Sequence, residues 1–169
     1  MPTEPWLRGD ITGTDPVVAQ VLYSFRQAEE ELTEWTQGFT GEQIWSRPHD
    51  LASIGFHARH IAGSIGRLLT YAQGEPLSPL QFAELAAERQ GGEDREALLA
   101  MLGKRLHGFS RVVQSFDPAT FAEPRTVGRQ QLPTTVGGLI VHISEHTQRH
   151  AGQAVLTAKV VLKLSQTHS

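Results

Sequence analysis

Residues 53–72 read Ser53-Ile-Gly-Phe-His-Ala-Arg-His-Ile-Ala-Gly-Ser-Ile-Gly-Arg-Leu-Leu-Thr-Tyr-Ala72, and this stretch decides the fold. Ile54, Ala58, Ile61, Ile65, Leu68, Leu69 and Ala72 recur three and four apart, the period of one helix face. Ser53 offers a capping hydroxyl at its start, and Gly74 followed by Pro76 stops it. The same grammar recurs on both sides. Upstream, Thr14 or Asp15 caps and Pro16 fits the first helical position of a run through Val17, Val18, Val21, Leu22, Phe25, Ala28, Leu32 and Trp35, ended by Gly38. Downstream, a third helix is predicted from Asp94 to Phe116, with Leu98, Leu102, Leu106, Phe109 and Val113 in its stripe and Asp117-Pro118 as its stop. Thr134 or Thr135 caps a fourth, whose stripe of Val136, Leu139, Ile140, Ile143, Ala154 and Val155 runs towards Lys159.

The link from Glu75 to Glu93 holds a short extra helix, predicted from Ser78 to Arg89, and is too long for a tight hairpin. The fold expected is therefore all-α: a four-helix bundle with a long crossover between helices 2 and 3 that contains this short helix. One domain spans 1–169, with 1–13 as an irregular lead-in. Residues 39–51 are expected to turn back with Trp45 packed over the bundle end. Residues 119–133 read as irregular, with a small hairpin open to Thr126-Val127 and Gln130 to Leu132.

Composition narrows the function classes. The chain has 169 residues, 39% hydrophobic and 20% charged, the range of ordinary globular proteins. With 15 basic against 18 acidic residues, it has no cationic surplus for phosphates or anionic lipid, so neither nucleic acid nor membrane is an expected partner. The start, Met1-Pro-Thr-Glu-Pro, has no signal-peptide pattern and no run nears ~18 apolar residues, so the expected location is cytoplasmic. The absence of cysteine removes thiolate metal sites and cysteine nucleophiles. Glu30 and Glu34, in an acidic run, read as a solvated face.

Any metal must then use His, Asp or Glu, and five of the eight histidines lie in two windows: His57 and His60, then His142, His146 and His150. Residues four apart on a helix lie about 40° apart in projection, so His146 and His150 can direct both rings at one ion. Measured from the centre of the apolar stripe, His150 lies ~30° away, His146 ~70° and His142 ~110°, which leaves His142 on the flank as an accessory or outer contact. A catalytic transition-metal site usually has three protein ligands, so a third should come from another helix. There His57 lies ~60° and His60 ~120° from the apolar centre, and periodicity alone slightly prefers His57. His49, His107 and His168 read as surface or loop residues. His142-Ile-Ser-Glu145-His146 also fits an inverted metallopeptidase pattern, but no acidic residue follows Glu145 to complete one.

The stretch from Ser53 to Tyr71, followed by Gly74-Glu-Pro-Leu-Ser, and the stretch Val141-His-Ile-Ser-Glu-His-Thr-Gln-Arg-His-Ala-Gly-Gln153 resemble the DinB family of DinB/YfiT-like metalloenzymes. In that family His-Ile-Ala on the second helix supplies one metal ligand and His-x-x-x-His-x-Gly-Gln on the last supplies two. The resemblance thus implies His60, His146 and His150 as metal ligands, moving the choice from His57 to His60. His57, His142 and Gln153 become accessory or outer residues, and Arg149 is expected to face solvent or an acidic partner. The resemblance also implies a homodimer and a divalent transition metal, zinc or nickel above others, in a cleft between helices. Its members of known activity include thiol-dependent S-transferases and isomerases that use bacillithiol, mycothiol or glutathione. The expected function is a metal-dependent S-transferase in detoxification or stress response, acting on a small-molecule substrate with a low-molecular-weight thiol as cosubstrate. The competing expectation is a non-catalytic metal- or small-ligand-binding stress protein with the same bundle.

Overall fold

The computed structural model describes residues 3–167. Its helices are α1 (Pro16–Trp35), α2 (Gly41–Trp45), α3 (Ile54–Ala72), α4 (Pro79–Ala87), α5 (Arg95–Gln114) and α6 (Val136–Thr167). Strands β1 (Pro124–Val127) and β2 (Leu132–Thr135) form an antiparallel hairpin with Pro124 opposite Thr135. The all-α expectation holds apart from this hairpin, which is longer and more regular than predicted. Each helix starts where a side chain can satisfy the first free N–H groups. Asp15 accepts from Val17 and Val18, Ser53 from Phe56, and Asp94 from Ala97. Capping boxes at Thr40/Gln43 and Ser78/Gln81 open α2 and α4.

The four long helices pack in a ring: α1 on α6, α6 on α3, α3 on α5, and α5 back on α1. Their apolar faces meet in one buried cluster, with Val21, Phe25 and Leu32 of α1, Ile61 and Ile65 of α3, Leu98, Leu102 and Leu106 of α5, and Ile140, Ile143 and Ala154 of α6. The last helix continues past the expected end near Lys159 to Thr167. Among the described residues no helix is long and apolar enough to cross a membrane. Residues 3–13 hold one 3-10 turn, Pro5–Leu7, and are otherwise irregular but tied down. Arg8 makes a two-pronged ion pair with Glu30, both bonds 2.6 Å, and Asp10 pairs with Arg26. Glu34 is exposed.

The crossover, with α4 inside it, is fastened to the start of α3. The Trp45 indole N–H donates to the Glu93 carbonyl at 2.9 Å. The Arg59 guanidinium lies 4.9 Å from the Trp45 ring centroid, pairs with the Glu93 carboxylate and donates to the carbonyls of Ala87, at 2.8 Å, and Gln90. Trp45 sits this close because Gly55 and Gly91 leave room; a Cβ at Gly55 would lie 2.7 Å from three indole carbons. Gly55→Ala is therefore expected to lower stability by ~1–3 kcal/mol through overpacking, as a lower urea midpoint at unchanged m-value.

Candidate metal centre

α3 packs along α6, and this contact brings the two histidine windows together. His60 Nε2 lies 2.9 Å from His146 Nε2. The His150 ring centroid is 4.3 Å from that of His60 and 4.5 Å from that of His146. One nitrogen from each of the three lies within 4.8 Å of the others. Nitrogens ~2.0–2.1 Å from a tetrahedral ion stand about 3.3 Å apart, so three rings at this spacing can hold one ion with small side-chain adjustments.

Two of the three rings are supported from behind. His60 Nδ1 is 2.7 Å from Glu88 Oε2, a carboxylate at the C-terminal end of α4. His150 Nδ1 is 3.0 Å from Nδ1 of His57, which is buried at 4% exposure. An acceptor behind one ring nitrogen holds the proton there and leaves the other nitrogen's lone pair free. The Nδ1 of His146 is buried without a hydrogen-bond partner. Phe56 stacks on His60 with centroids 5.3 Å apart and meets His57 and His150 edge-on, and the Arg89 guanidinium lies 4.6 Å from the Phe56 ring centroid. Beyond Glu88, a cavity of about 290 Å3 opens between α3, α4 and α5.

His142 stands at the edge of the group. Its ring centroid is 5.3 Å from that of His146, but its Nδ1 bonds to Glu145 Oε2 at 3.0 Å and its side chain is 44% exposed. Glu145 also pairs with Arg149 on the surface. Gln153 is exposed, and no hydrogen bond ties it to the histidines among the described residues. His49 and His107 are exposed and outside the group; His168 lies outside the described residues. Sequence reasoning missed Glu88, Phe56 and Arg89. Glu88 carried no signal, since it follows directly on a short helix without a buried stripe.

Residues 24–154 match the DinB superfamily. The chain belongs to this superfamily. Its fold is also similar to a crystal structure titled a conserved protein of locus from Enterococcus faecalis, with a TM-score of 0.64 at 14% identity, covering 89% of this chain and 99% of that one. A search of curated proteins returns no match.

In this DinB-superfamily chain, burial favours the neutral form of His57, His146 and His150. Burial, reinforced by the charges of His60 and Arg89, lowers the His57 pKa to about 4. Burial, with His60, His142 and Arg149, lowers that of His146 to about 4. Burial, with His60, His146, His57 and Arg149, lowers that of His150 to about 3. Desolvation opposes the charged form and neighbouring cations add to it. Burial pushes the Glu88 carboxyl up, but the His60 hydrogen bond and the Arg67 guanidinium outweigh it and hold Glu88 below its ordinary value. Rings that stay neutral keep the lone pairs a metal needs. The donor set is therefore chemically suited to a divalent transition metal.

Proposed function

We propose that His60, His146 and His150 ligate one divalent transition metal, zinc or nickel by preference, in a four-helix bundle made by α1, α3, α5 and α6, and that the site runs thiol-dependent S-transfer in detoxification or stress response. The observation that carries this reading is the convergence of three imidazoles on one point, with the Glu88 carboxylate behind His60 and the His57 ring behind His150. When bound, the ion would supply Lewis acidity that favours the deprotonated form of a thiol. The chain's own residues do the rest. Glu88 holds a proton on Nδ1 of His60, so that its Nε2 faces His146, and His57 braces the His150 ring through its Nδ1. Phe56 covers one side of the group, and Arg89 and Arg149 contribute positive potential that suits an anionic sulfur. The chain has no cysteine, so the nucleophile is a low-molecular-weight thiol of the bacillithiol type and the acceptor a small electrophile. Exposed Leu80, Phe82 and Leu85 on α4 support a homodimer as the working form.

The test is conjugation of bacillithiol, or a surrogate thiol, to a strong electrophile. Metal-loaded protein is expected to exceed the uncatalysed rate, lose that excess on chelation and with His60→Ala, and keep it with His49→Ala. Binding of metal and thiol with no excess rate across several thiols and electrophiles would instead favour the non-catalytic binding protein.

A further inference from the structure

Glu88 is 4% exposed, and a carboxylate this deep costs much desolvation free energy unless it is paired. Its two oxygens have separate partners. Oε2 lies 2.7 Å from His60 Nδ1. Oε1 lies 2.8 Å from Nη1 of Arg67, itself 9% exposed, in an ionic contact without hydrogen-bond alignment. His60, Gly63 and Arg67 are three and four apart on α3 and so share one face. Gly63 provides the space between them: a Cβ there would lie 2.7 Å from Glu88 Oε1 and 2.8 Å from Arg67 Nη1. One face of α3 thus carries the histidine, a gap for a carboxylate and a cation to hold it, while the crossover delivers the carboxylate.

We propose that Glu88, seated over Gly63 and held by Arg67, is a positioning residue that fixes the His60 ring with its proton on Nδ1 and Nε2 towards the metal, and so sets metal affinity. This rests on the ligand reading above. A purely structural ion pair that anchors α4 would change stability and leave both the His60 tautomer and zinc affinity as they were.

Two measurements on the full chain separate these roles: zinc affinity by competition with a chromophoric chelator, and the nitrogen-15 spectrum of the His60 ring in metal-free protein. Glu88→Gln is expected to lower zinc affinity 10–100-fold and to weaken the Nδ1-protonated signature of His60. Gly63→Ala displaces the carboxylate without deleting it. It is expected to lower zinc affinity in the same direction, with the helix preference of alanine offsetting only part of the stability lost by crowding the buried pair. This variant carries the test if Glu88→Gln fails to fold. Unchanged zinc affinity and an unchanged His60 signature in the folded variants overturn the proposal. A wild-type chain that takes up no zinc overturns the ligand reading instead, whereas a shift of the His60 tautomer in metal-free Glu88→Gln still supports the positioning contact.

Discussion

Protein purified without an affinity tag is expected to lose its bound metal when His150 is replaced by Ala, with helical content unchanged. Structural zinc sites bind with ~10–16 kcal/mol over four ligands, about 3 kcal/mol each, so losing one of three should weaken binding roughly a hundredfold or more. Loss by His150→Ala should match that by His146→Ala, since both rings stand on one face of α6 and meet the same point. The fold should survive, because the buried cluster is built from aliphatic and aromatic residues of the four long helices. His142→Ala provides the contrast. That ring is bonded to Glu145 at the rim, so metal content should not change. Elemental analysis and circular dichroism on the same samples decide the matter, and a full metal equivalent retained by His150→Ala would place the ion elsewhere.

The second large effect is acid destabilisation of the metal-free protein between pH 6.5 and about 4. In the unfolded chain His57 takes up a proton near its ordinary 6.5, whereas in the fold burial holds that step down to about 4. Between these values the unfolded state binds more protons, so stability rises with pH across the window and is lost as pH falls through it. The difference is about 3 kcal/mol for His57 alone. His146 and His150, lowered to about 4 and about 3, push the same way, although part of their lowering is repulsion from His60 and so is shared among the rings. Urea unfolding at a series of pH values should show the midpoint falling steeply below pH 6.5. Saturating zinc should raise stability at pH 7 and progressively less towards pH 4, as protons compete for the same lone pairs. A flat metal-free profile from pH 7 to 4.5 would mean that the rings are hydrated.

The four long helices were legible because each begins at a capping side chain and carries an apolar stripe at helical spacing, which in α6 lies on both sides of the histidine window. α2 was not: five residues between Gly41 and Trp45 are too few to show a period, and its capping box was the available sign. The His146–His150 spacing was readable from helical geometry alone. The choice between His57 and His60 was not, and the reason is physical. Periodicity ranks residues by depth, and His57 is indeed the deeper of the two. A group that gathers rings from two helices forms nearer the rim, where His60 stands partly exposed, while the deeper His57 ends up behind His150. Glu88 lay beyond any local pattern. Its burial comes from the way α4 ends against α3, over Gly63, which is a tertiary fact with no periodic trace in the sequence.

The fastening of the crossover by Trp45 and Arg59 bears on how such a centre can be transplanted. Three histidines grafted onto the matching helices of another bundle would arrive without the carboxylate behind His60, because that group comes from a segment clamped to α3 by an indole and a guanidinium. The smallest portable cassette is therefore the continuous stretch from Trp45 to Glu93 together with α6. Exchange between relatives that breaks this stretch separates the rings from their support.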